Sequence, residues 1–210
     1  MPSSPTKKDA SWWSRAKAQL LPVFVVLGVM WVLELIDFAA VGDPLNQYGI
    51  VPRSLSGLAG IPLAPFLHID VLHHLVPNTV PFFVLGSLVA LGGKQHFAGV
   101  SMFVALTAGL GTWFFGESGL HIGASGVIFG YLGFLVARGL FEKRMRWVLV
   151  SIAVGVAYIS LIQSLAELRA GVSWTSHFFG FAGGVGLAML CYVRIRKRAV
   201  GVAETSEAAE

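Results

Sequence analysis

Apolar residues run through this chain in long blocks, with polar residues gathered in short clusters between and at the edges of them. Six blocks, over residues 20–40, 74–91, 97–115, 125–141, 147–166 and 174–193, are long enough as helices, at about 1.5 Å per residue, to cross most of a hydrocarbon core. The first follows a basic stretch (Lys7, Lys8, Arg15, Lys17), as a secretory leader does. Its length exceeds a leader's apolar core, and Glu34 and Asp37 interrupt the approach to any cleavage site, so it reads as a retained first span. Between the first two blocks lies a long connection, residues 41–72. Its second half, from Ile61 to Leu67, is apolar but too short and too rich in proline to span. A structured element at the outer membrane interface is expected there, because the segment is too apolar for disorder. No internal repeat is evident.

Composition supports the same picture. The 210 residues are 55% hydrophobic and 12% charged, with mean hydropathy +0.73, and a soluble domain carries about 25% charged residues. A soluble enzyme, a nucleic-acid binder and a disordered scaffold are thereby disfavoured, and six spans leave no length for a separate soluble domain. The lone Cys191 excludes an intramolecular disulfide. The net charge of +4 matters through its distribution. Six spans put both termini on one side, and placing them in the cytoplasm leaves only Arg53 and Arg169, of 15 Lys and Arg, outside. The expected class is all-α: a six-transmembrane-helix bundle with cytoplasmic N- and C-termini. Its expected parts are an N-terminal segment, 1–19, a membrane domain, 20–195, and a disordered cytoplasmic tail, 196–210, acidic and Ala-rich from Gly201.

Polar residues inside a span are costly and are by default functional candidates. The second block opens with His74 and Asn78, the fourth with Ser125, and the sixth with His177 soon after Trp174. In the expected topology these three spans run the same way, so the four polar residues share one shallow layer below the outer surface. A serine hydroxyl becomes a nucleophile when a base within hydrogen-bond reach takes its proton, and histidine titrates near neutrality, so Ser125 and His177 suit a dyad. The developing oxyanion needs donors. Unpaired backbone N–H groups opening the fourth helix, the Asn78 amide and a His74 ring nitrogen are candidates, and spacing of four puts His74 and Asn78 on one helix face. Gly126 with Gly130, and Gly180 with Gly184, form small-residue stripes that let two helices approach closely. Phe129, one turn from Ser125, is placed to support the imidazole by stacking, since no acidic residue is placed to complete a triad.

Gly123-Ala124-Ser125-Gly126, His177 followed by Gly180 and Gly184, and His74-Leu75-x-x-Asn78 together resemble the pattern of rhomboid intramembrane serine proteases, over about residues 20–195. The resemblance implies a rhomboid-like bundle with Ser125 as nucleophile, His177 as general base, and His74 and Asn78 as the oxyanion hole. It implies cleavage of transmembrane protein substrates near the outer face, with no cofactor and no metal. The expected partners are those substrates and the lipid bilayer, not nucleic acid. The expected location is a prokaryotic plasma membrane, with the site opening to the outer face. Three features depart from the pattern. A histidine often stands five residues before the His74 position, but His68 precedes it by six. The Trp-Arg pair of the first external loop is missing, with Arg53 as a possible substitute. Phe129 replaces a frequent tyrosine.

Each residue also has a plainer reading. Gly123 to Gly126 alone suits helix packing, His177 alone an interfacial side chain, and Asn78 alone an interhelical hydrogen bond. His73 reads as a bystander, and His96 and His121, in or near loops, read as solvated. The chain has no HExxH for a zinc protease, no mid-span aspartate pair, and no lysine at the depth of Ser125. The alternative to a protease is a non-catalytic rhomboid-like protein that binds membrane helices for quality control. Such proteins usually lack the serine or the histidine, and this chain has both.

Overall fold

The computed structural model describes residues 7–40, 44–165 and 172–207. Its elements are helices: α1 (Lys7–Ala39), α2 (Leu55–Gly60), α3 (Val76–Ala90), α4 (Lys94–Phe115), α5 (Ser125–Glu142), α6 (Met145–Ala157), α7 (Ile159–Ser164) and α8 (Trp174–Glu207). Two 3₁₀ turns, Asn46–Tyr48 and Ala64–Phe66, and a π turn, Val71–Leu75, complete them.

Five of these segments are long and apolar enough to cross a membrane: Lys17–Ala39, Val71–Ala90, Lys94–Phe115, Ser125–Glu142 and Trp174–Arg196. The expected fifth span is not one helix. It breaks at Tyr158, whose backbone (φ −114°, ψ 26°) leaves the helical region, so α6 and α7 are separate and each is short. Gly155 and the β-branched Val154, Val156 and Ile159 beside the break form helix poorly, so interrupting the helix there costs little. Beyond the last apolar block, α8 continues to Glu207. Residues 1–6 and 208–210, the end of the expected fifth span at 166, and Arg169 lie outside the described residues.

Helix α5 sits at the centre, with α3, α4, α6 and α8 packed around it and α1 against α3 and α4. From Gly126 to Ala137 its sequence is apolar on every side, and a helix of that kind is stable only when enclosed. Tyr131, Leu132, Phe134 and Leu135 are fully buried there. Polar ties fix the neighbours. Tyr131 shares a 2.6 Å hydrogen bond with Ser101 of α4, and Trp31 of α1 donates to Thr79 of α3 at 3.2 Å. Where α5 meets α8, glycine permits backbone contact: a Cβ on Gly180 would collide with the Gly126 carbonyl, and one on Gly184 with that of Gly130.

The long connection between α1 and α3 folds into α2 and the turns beside it, with a small core of Ile50, Ile61 and Ala64 against Trp113 of α4. Ile50 and His121 exchange two backbone hydrogen bonds of 2.9 Å, joining this loop to the one before α5. Trp113 donates to the Ser54 carbonyl at 2.7 Å, and Arg53 to that of Gly116 at 2.8 Å. Arg53 thus fastens the loop to the end of α4, with its own backbone in the left-handed region at φ 57°.

Candidate active site

Ser125 is the first residue of α5 because of the turn before it. Gly123 holds φ +113°, a conformation that a Cβ would strain, and the His74 ring nitrogen occupies the space a Cβ there would need. The Gly123 amide donates to the Ala64 carbonyl at 2.8 Å, and the Ala124 amide to His68 Nε2 at 3.4 Å. Helical bonding in α5 begins only with the amides of Val127 and Ile128, both on the Ala124 carbonyl. The amides of Ser125 and Gly126 therefore remain as the open donors of this helix start, whereas those of Gly123 and Ala124 are engaged.

His177, in the first turns of α8, reaches Ser125: Nε2 and Oγ are 2.9 Å apart. The Phe129 ring lies against the imidazole at 4.2 Å between centroids, with planes 20° apart. Among the described residues no carboxylate reaches the His177 ring, so a stacked aromatic stands where a triad would place an acid. Across the site, Asn78 is buried and its Nδ2 donates to the His74 carbonyl at 2.9 Å, which leaves the second amide hydrogen free. His74 Nδ1 accepts from the Ile69 amide at 3.3 Å, so in the neutral ring Nε2 carries the hydrogen. That hydrogen points toward Gly123, beside the serine. Ser125, His177, His74 and Asn78 all line one cavity of about 610 Å³.

A scan of the sequence finds the Rhomboid domain over residues 56–194. The chain belongs to the rhomboid family. An uncharacterized protein of Mycobacterium tuberculosis is 36% identical over 205 residues, covering 93% of this chain and 83% of its own length. One from Mycobacterium bovis matches equally, and one from Mycobacterium leprae is 36% identical over 184 residues, covering 83% of this chain and 72% of its own. With its apolar helices, this rhomboid is an integral multi-pass membrane protein.

The odd spacing of His68 has a structural explanation. The π turn Val71–Leu75, in which the Leu75 amide bonds back to the Asp70 carbonyl at 2.9 Å, takes up one more residue than an α turn. His68 therefore still meets the His74 ring, edge to face at 4.9 Å. Burial, with the nearby His74 ring as the smaller cause, lowers the His68 pKa from 6.5 to about 3, so it stays a neutral acceptor for the Ala124 amide. His73 also lines this cavity, in an exposed contact with Asp70 at 3.1 Å. His121 is not a solvated loop residue: it is half-buried in the cavity wall, with Nδ1 2.8 Å from Ser173 Oγ and Nε2 2.9 Å from the Glu117 carbonyl. It joins the loop before α5 to the residues leading into α8. Nor is His96 solvated: it lies in the first turn of α4 with its Nε2 buried.

Proposed function

We propose that this rhomboid is an intramembrane serine endopeptidase working through a Ser125–His177 dyad. The 2.9 Å contact between Ser125 Oγ and His177 Nε2, at the floor of an open cavity, carries the reading. As Ser125 Oγ bonds to the scissile carbonyl carbon, His177 takes its proton. The carbonyl oxygen becomes an oxyanion facing the His74 Nε2 hydrogen, the free Asn78 amide hydrogen and the Ser125 backbone N–H. Collapse breaks the C–N bond, and His177 gives its proton to the leaving amine. Water, deprotonated by His177, then releases the acyl group from Ser125. Phe129 holds the imidazole plane, and the glycine contacts between α5 and α8 hold the two helices at this spacing.

The proposed substrates are transmembrane proteins. A helical peptide bond is hydrogen-bonded and shielded, so the segment must unwind to reach Ser125, and unwinding in lipid exposes backbone groups at several kcal/mol each. Helices weakened by Gly, Pro or polar residues near the membrane surface are therefore favoured, with a small residue at the cut. The Lys and Arg distribution supports six crossings, with α6 and α7 together making the fifth, cytoplasmic termini, and a site opening to the outer face of a bacterial plasma membrane. Cysteine labelling on a Cys191→Ser background tests the orientation: position 117 should react from outside and position 143 only after permeabilisation.

The test of function is cleavage of a fluorescent single-span substrate in proteoliposomes. The wild-type protein cleaves it, and Ser125→Ala and His177→Ala, each folded, do not; because the two act as a unit, the double variant is no worse than either single one. A folded protein that binds such helices, with wild type and Ser125→Ala equally inert, would instead mark a non-catalytic rhomboid.

A further inference from the structure

At the far end of α5, about 20 Å from Ser125 at about 1.5 Å per residue, a second cavity of about 340 Å³ opens between α4, α5 and α8. Its size falls within the usual range of small-ligand sites, about 300–1,000 Å³. The polar part of its wall is Arg138 and Glu142 of α5, Arg194 of α8 and His96 of α4; the rest is largely apolar, from Phe134 and Ile195. Arg138 is largely buried. Its Nε is 2.5 Å from Glu142, and its guanidinium lies 3.7 Å over the Trp147 ring, so its position is fixed. Its two Nη groups make no hydrogen bond among the described residues. His96 Nε2 is buried with no partner, against Phe134 at 5.6 Å between ring centroids. Arg194 is exposed at the mouth.

A buried ring nitrogen without a partner is costly, and the His96 ring that carries it borders a cavity in which two guanidinium groups outweigh one carboxylate. Arg138, with its unused donors, and the Arg194 fork line one space, and planar guanidinium groups suit phosphate oxygens. The same end of the bundle carries Lys94, Lys143, Arg144, Arg146 and Arg196, a field that draws anions toward it. We infer that this cavity binds a phosphate-bearing anion, through Arg138 and Arg194. The apolar wall and the position at a membrane boundary fit the phosphodiester of an anionic phospholipid, and a free phosphate offers the same oxygens.

Full-length protein in mild detergent is mixed with phosphatidylglycerol, phosphatidylcholine or inorganic phosphate. Retained lipid is counted by native mass spectrometry, and unfolding is followed by tryptophan fluorescence. Wild type should retain phosphatidylglycerol over phosphatidylcholine and unfold at a higher temperature with it. Arg194→Gln, losing one contact to the anion, should weaken retention about tenfold, whereas Lys143→Gln, outside the cavity, should not. Arg194 is exposed, so its variant folds as wild type. Stabilisation by inorganic phosphate with the same Arg194 dependence, and no selectivity between the lipids, would assign the site to free phosphate. Equal retention of both lipids by every variant, with phosphate without effect, would overturn the inference.

Discussion

Gly180→Ala adds one methyl group where α5 and α8 pack backbone to backbone. The new Cβ would strike the Gly126 carbonyl, which is main chain on both sides of the contact, so no side chain can rotate away. Relieving the overlap to ordinary van der Waals separation requires the helices to part by about 1 Å. Gly126 directly follows Ser125, and Gly180 lies about one turn from His177, so the displacement falls on the 2.9 Å Ser125–His177 contact. Opened by about 1 Å, it leaves the reach of proton transfer, about 3.2 Å, and a misplacement of that size costs about 10²-fold in rate. Overpacking costs about 1–3 kcal/mol of stability, offset in part by about 1 kcal/mol from replacing glycine within a helix. The assay pairs substrate cleavage in proteoliposomes with thermal unfolding. Gly186→Ala is the control, because a Cβ there meets nothing within 4 Å, so it should be as active and at least as stable as wild type. Wild-type cleavage by folded Gly180→Ala would refute the claim that this helix contact sets the geometry of the site.

Removing one oxyanion donor should lower turnover by about 10²–10³-fold, so Asn78→Ala and His74→Ala should each be impaired but measurable in the cleavage assay; full activity in both would leave the Ser125 and Gly126 amides as the donors. His68 makes part of the stability pH-dependent. Its folded pKa of about 3 lies below the ordinary 6.5, so between these values the unfolded chain holds a proton that the folded one lacks, and stability rises with pH through that window. The contribution is complete above about pH 6.5 and drains as pH falls toward 3, so the unfolding temperature should drop on acidification, and His68→Gln, which keeps an acceptor for Ala124, should shrink the drop. An unchanged acid profile in the variant would remove His68 from the account.

Long apolar blocks made the membrane helices legible in the sequence, because hydropathy alone decides which segments can leave water. The break at Tyr158 was not legible: no proline marks it, and weak helix formers are tolerated elsewhere in this chain. Ser125, His177, His74 and Asn78 could be grouped because helix direction puts them in one layer, but their distances depend on the α5–α8 contact, which requires three dimensions. The π turn was visible only as an odd spacing before His74. A backbone adjustment of one residue has no compositional signature, so its effect, to carry His68 back to the site, emerges from the fold. His121 was missed for a related reason: a histidine between glycines reads as solvated loop until its partner, Ser173, arrives from a distant part of the chain.

The most direct measurement is labelling by a fluorophosphonate probe, which bonds covalently only to a serine whose hydroxyl is activated by a base, with the modified residue located by mass spectrometry. The account predicts labelling of the detergent-purified wild-type protein at Ser125, and none in Ser125→Ala or His177→Ala. Label elsewhere, label that survives His177→Ala, or an unlabelled but folded wild-type protein would contradict it.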